Sequence, residues 1–139
     1  MVAGEVSCGN ALDEGSKAGP RGWFLGHFMA PGAGPAATDM VEVKWGVHGA
    51  GEIKANEGVN QTATTMSLLV SGRFRLEFPS HGRSVTLVRP GDYAVWSPGV
   101  SHRWHVLDDA VVITVRWPSR CDDQSQRPGE GTAIGSLGR

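Results

Sequence analysis

Glycine and proline punctuate this chain so closely that the apolar runs between them are short, and that spacing constrains the fold more than any other feature. The chain carries 20 glycines and 8 prolines in 139 residues, and no long amphipathic helical pattern interrupts them. An all-β chain with many tight turns is the fold class this implies. Trp23 to Met29 reads as a first strand, ended by Pro31-Gly32. In Met40 to His48, Val41, Val43, Trp45 and Val47 share one face, and Glu42, Lys44 and His48 share the other, which reads as the outward one. Thr62 to Phe78 is the longest run, with Ser71-Gly72 in its middle and Phe74, Leu76 and Phe78 alternating against Arg73, Arg75 and Glu77. Ser84 to Val88, Tyr93 to Trp96, His102 to Leu107 and Ala110 to Trp117 follow, with Asp108-Asp109 as a two-residue hairpin turn between the last two. About eight short antiparallel strands of this kind make a sandwich or a barrel.

The length fits one domain, and a 40% hydrophobic fraction supplies one core. That core is expected over residues 21–119, between a flexible N-terminal arm, 1–20, and a flexible C-terminal tail, 120–139, both small, polar and aperiodic. A net charge of −1 leaves no electrostatic footprint for nucleic acid or an anionic membrane. Cys8 and Cys121 form no Cys-x-x-Cys motif and suit a reducing cytoplasm. The N-terminus has no basic segment followed by an apolar one, so no signal peptide is read, and no apolar run is long enough to span a membrane.

The segment Gly91 to His105, GDYAVWSPGVSHRWH, places a Gly-Asp turn, an apolar strand, a Ser-Pro-Gly turn and then His102 at the start of the next strand. Pro98 presets φ and Gly99 tolerates a positive one. This resembles the second cupin motif, whose histidine ligates metal. Gly51-Glu52 and Leu68 to Gly72 resemble the two ends of the first cupin motif. At the first motif's ligand positions, however, the glutamate is replaced by Thr65, and the histidines fall among Gly58, Val59, Asn60 and Gln61. RGWFLGHF (Arg21 to Phe28), TATTMSLLVSGRFRLEF (Thr62 to Phe78) and RWPS (Arg116 to Ser119) are similar to a group of small bacterial cupins, some of which carry the label "signal peptidase I". Serine–lysine peptidase chemistry needs a base set on a serine, and the lysines here are only Lys17, Lys44 and Lys54. The resemblance implies a single cupin jelly-roll barrel, a homodimer and a cup that holds a small molecule.

The candidate ligand-binding residues are His102, Trp104, Asn60, Gln61, Thr65, Ser67 and Arg116. His102 is read either as a metal ligand or as a histidine that hydrogen-bonds inside the cup. A neutral imidazole binds divalent transition metals well, but zinc needs three or four protein ligands. His27, His48, His81 and His105 read as solvent-facing or singly hydrogen-bonded. Hydroxyls and amides at Asn60, Gln61, Thr65 and Ser67 are weak metal ligands and good partners for a polar molecule. Trp104 shares a face with His102 and suits an aromatic wall, while Trp45, Trp96 and Trp117 read as core. Arg116 is the arginine placed to meet an anionic group, and Arg73 and Arg75 read as an outer, ion-paired face.

Three functions stay open. The first is a small-molecule-binding protein with a degenerate metal site, accessory to bacterial secondary metabolism. The second is a metal-dependent oxygenase or isomerase using His102 with unconventional ligands. The third is a metal-free epimerase with a histidine base, which would need an orienting carboxylate.

Overall fold

The computed structural model describes residues 4–15 and 21–127. Of the two ends expected to be flexible, residues 1–3, 16–20 and 128–139 lie outside the described residues. The rest is antiparallel β structure: β1 (Trp23–Leu25), β2 (Glu42–His48), β3 (Glu57–Asn60), β4 (Thr64–Phe78), β5 (Arg83–Leu87), β6 (Tyr93–Trp96), β7 (Arg103–Trp117) and β8 (Gln124–Arg127), preceded by a short helix, α1 (Ala11–Gly15). The main sheet runs β1-β2-β7-β4-β5, and β6 joins the other edge of the first half of β4. Three strands expected from the sequence differ, one being shorter and two joined. The first stops at Leu25, where Gly26 bridges to Ala37 instead of extending to Met29. His102–Leu107 and Ala110–Trp117 are one strand, because Asp108-Asp109 is a bulge and not a turn.

That bulge rolls the sheet. The β4–β7 register shifts between Leu69 and Phe74, and the two halves of β4 take different neighbours: Thr65 to Leu68 pair with β6, Phe74 to Phe78 with β5. Gly72 makes the bend possible. Its φ is 87°, and a Cβ there would lie 2.0 Å from the Asp109 carbonyl oxygen. The buried side chains Leu69, Phe74, Leu76, Phe78, Leu87, Trp96, Val106 and Val112 fill the inside of the roll.

The sequence ends the domain at Ser119, but the chain continues in the fold. Asp123 accepts hydrogen bonds from Thr62 N (2.8 Å), Ala63 N (3.2 Å), Asn60 Nδ2 (3.1 Å) and the Thr62 hydroxyl. It thereby anchors β8 against β3, a pair with no pattern strong enough to be read beforehand.

Around β2 the polarity of the sheet is reversed. Glu42, Lys44 and His48 face the inside of the roll, while the opposite face is apolar. Register places Val43, Val115, Met66 and Val95 in one lateral row and Trp45, Ile113, Leu68 and Tyr93 in the next. Val47 and Val111 pair just beyond. Val47, Tyr93 and Val95 are exposed, and so is Trp117 at 40%, against its expected place in the core. No helix among the described residues is long and apolar enough to cross a membrane.

Candidate functional site

The roll encloses a cavity of about 720 Å³. One wall is built by the inward residues of β6, β4, β7 and β2. Trp96, Thr65, Arg116 and Glu42 form one lateral row; Ala94, Ser67, Thr114 and Lys44 form the next. The second half of β4 and the start of β7 supply an aromatic wall of Phe74, Leu76 and Trp104. His48 closes the bend between them, with its ring 4.8 Å from Trp104 and 5.3 Å from Phe74, and its Nδ1 3.2 Å from Glu52 Oε1. Gly46 leaves room for that ring, since a Cβ there would lie 2.8 Å from His48 Nε2. Burial holds the His48 pKa below its usual value, against the bond from Glu52.

His102 is 4% exposed and packs its ring 4.9 Å from Trp96. Its Nδ1–H donates to the Val100 carbonyl at 3.2 Å, which leaves the Nε2 lone pair free to accept. Gln124 Nε2 approaches that lone pair at 3.4 Å. Gly58 lies underneath: a Cβ there would meet Gln124 Nε2 at 2.9 Å, His102 Nε2 at 3.1 Å and Lys54 Nζ at 3.2 Å. A bare glycine is what lets an imidazole, an amide and an ammonium converge. Burial, and then the nearby Lys54 and Arg116 charges, lower the His102 pKa to about 4, so the ring is neutral at pH 7.

Arg116 donates from Nη1 to Glu42 Oε2 at 3.1 Å. Behind it Ser119 Oγ donates to Glu42 Oε1 at 2.7 Å and accepts from His27 N at 2.9 Å and from His27 Nδ1 at 2.6 Å. That hydroxyl is fully used and 1% exposed, and it ties β2 to the segment after β7. Lys44 lies 5.8 Å from the centre of the Trp23 ring, and burial, then Arg116 and Arg21, lower its pKa to about 8.

Of the residues marked from sequence, the cavity gathers His102, Trp104, Thr65, Ser67 and Arg116. It does not gather Asn60 or Gln61. Asn60 is buried against Asp123, and Gln61 is exposed and donates to Ser125 at 3.1 Å. Both precede β4, where the chain crosses to β8, and the cup wall begins only at Thr65. Arg73 and Arg75 stand on the outer face, paired with Asp108 and Glu77 as expected. The sequence reading missed Lys44, His48, Glu52, Lys54 and Gln124. The alternation at Glu42, Lys44 and His48 was visible, but its direction was not, and nothing local marks Lys54 or Gln124.

No protein-family model matches the chain, and no curated protein does. Solved structures do. KdgF from Halomonas sp. aligns with a TM-score of 0.53 at 23% identity, over 61% of this chain and 76% of that one. The fold is a cupin jelly roll. A double-stranded β-helix protein from Klebsiella pneumoniae aligns at 0.56 and 18% identity, over 65% and 76% of the two chains. The DMSP lyase DddQ from Ruegeria pomeroyi aligns at 0.54 and 19% identity, over 67% of this chain but only 46% of that one. The signal-peptidase label gains no support from these likenesses.

A cupin's metal needs several imidazoles or carboxylates at one point. Among the described residues no three His, Cys, Asp or Glu side chains come together. Of the two imidazoles in the cup, His48 is joined to Glu52, and His102 has an ammonium and an amide as neighbours; the Lys54 and Arg116 charges that add to the effect of burial on its pKa also act against a divalent cation. The residues present do not fit a bound transition metal.

Proposed function

We propose that this cupin binds a small organic molecule in its cup and has lost the metal site. The observation that carries the reading is His102, a neutral imidazole whose Nε2 is approached by the Gln124 amide and stands near the Lys54 ammonium, neither of which ligates a cation. The cavity, about 720 Å³, is of the size that holds a small ligand. Calorimetric titration of untagged protein with zinc, nickel and ferrous iron tests the reading. Binding weaker than about micromolar, roughly −8 kcal/mol, is expected. Tighter binding that His102→Ala abolishes would favour the metal-dependent oxygenase or isomerase instead. One of the aligned structures, the DMSP lyase DddQ, carries an enzyme name, so catalysis in this cup is compatible with the fold. His102 does not serve the epimerase reading, because it is oriented by a carbonyl and its low pKa makes it a poor base near pH 7. His48, which lines the cavity with its Nδ1 3.2 Å from Glu52 Oε1, is a histidine with the orienting carboxylate that reading needs.

We also propose that a second copy of the chain covers the apolar rows of β2, β7, β4 and β6. Four strands and three rows span on the order of 400 Å² in plane, within the range of the largest apolar patch on a monomer, so the continuity of the rows and not their area supports the contact. The rows hold no charge, so the face is complementary to itself and fits a two-fold contact. Light scattering should give the dimer mass, and Ile113→Lys at the centre of the face should give a folded monomer. A wild-type monomer at about 100 μM would refute it.

A further inference from the structure

The charges of the cup are unbalanced. Among the described residues Arg21, Lys44, Lys54 and Arg116 line it, against the carboxylate of Glu52; Glu42, in the same lateral row as Arg116, is paired with it. The whole chain, by contrast, carries a net charge of −1. Two buried groups feel these charges in addition to burial, and Arg116 acts on both. Arg116 and Arg21 depress Lys44 after burial has done so, and Lys54 and Arg116 depress His102.

The same wall holds polar atoms that the protein leaves without partners. Thr65 Oγ1, Trp96 Nε1 and Arg116 Nε are buried and make no hydrogen bond among the described residues. Thr65 is 1% exposed and stands directly opposite both Trp96 and Arg116, so the three belong to one lateral row. An unmatched buried donor costs about 1–3 kcal/mol. A fourth such atom, Arg75 Nε, lies on the outer face, but these three share one row of the cavity wall, where an acceptor brought by a ligand would meet them after a small movement of the wall.

Resting on the reading of the cup as a ligand site, we propose that its ligand is an organic monocarboxylate. The carboxylate sits against the Arg116–Thr65–Trp96 row and Lys44, and the apolar body lies on Phe74, Leu76 and Trp104. A single negative charge fits better than a phosphate dianion. Arg116 already gives Nη1 to Glu42, whose own charge lies next to the head-group position, and Thr65 and Trp96 are neutral donors.

The test uses the full chain with benzoate, cyclohexanecarboxylate and hexanoate, their primary amides and benzylammonium, followed by calorimetry and tryptophan fluorescence at low salt. At least one carboxylate should bind about ten-fold or more tightly than its amide, a gap of about 1.4 kcal/mol. Benzylammonium should not bind. Lys44→Gln and Lys54→Gln should each reduce that preference. Affinity for the carboxylate should also fall as pH rises through 8, and the fall should vanish in Lys44→Gln. Lys44 faces Arg116, Arg21, Glu52 and, along its own strand, His48, and of these only Lys44 loses its charge there. Equal binding of acids and amides would leave the cup reading standing and overturn the carboxylate. Binding by none of these probes would overturn both.

Discussion

Replacing Glu42 by glutamine probes how Arg116 is held at the head of the cup. Both side chains are largely buried, at 8% and 17% exposure, and their closest contact is 3.1 Å. Opposite charges about 4 Å apart at an effective dielectric near 20 attract by roughly 4 kcal/mol, and removing one member of a buried pair costs about 3–5 kcal/mol. Glutamine keeps the shape but has a single acceptor oxygen for two donors, Arg116 Nη1 and Ser119 Oγ. The expected loss is about 3 kcal/mol in urea unfolding at pH 7, on the order of 10 °C in Tm. Relief of Arg116 from its counterion should also strengthen carboxylate binding, so stability and affinity move in opposite directions. A loss below about 1 kcal/mol would refute the argument. It would mean that another carboxylate already balances Arg116, and Asp123, whose charge also acts on it, is the group to suspect.

Gly72→Ala should cost more than about 3 kcal/mol, well beyond an ordinary substitution, because the new Cβ meets backbone that cannot move aside; a mild effect by chemical denaturation would show that the bulge is plastic. His102 has a pKa of about 4 in the fold against 6.5 outside it, so the unfolded chain binds more protons between those values and stability is lost as pH falls through them. His102→Gln should flatten the acid side of the stability profile by up to about 3 kcal/mol, and an unchanged slope would count against the burial argument. Lys44 has a pKa of about 8 against 10.5, so wild-type stability should rise with pH over that interval. Lys44→Met should stabilise the fold at pH 7 by about 2 kcal/mol while weakening carboxylate binding; a destabilised variant would mean that the ammonium is well paired. Truncation after Ser119 removes Asp123 and β8, and should lower Tm and expose β3 to hydrogen exchange; an unchanged Tm would make β8 dispensable.

Much of the strand layout was legible because turns need particular residues. Gly72 and Gly99 sit at φ values of 87° and 86°, where glycine alone is unstrained, so the bend and the Pro-Gly turn before His102 were local properties of the chain. The alternation after Gly72 was equally local: Phe74, Leu76 and Phe78 went in, and Arg73 and Arg75 went out to ion pairs. His102 was found from the turn that delivers it and from the motif that turn resembles; alternation put Thr65 and Ser67 on one face, and the resemblance to the first cupin motif said that this face lines the cup.

The sequence by itself determined that this chain is a β roll with one histidine and several hydroxyls at its mouth, because turn chemistry and side-chain alternation act over a few residues. Only the tertiary structure decided which face of β2 points inward. A period of two separates Glu42, Lys44 and His48 from Val43, Trp45 and Val47 but does not say which set is buried. Here the enclosed cup took the charged set and left the apolar set outside, against the usual pattern. The meeting of Lys54, His102 and Gln124 over Gly58 likewise depended on strands far apart in the chain, and no local pattern encodes such a convergence.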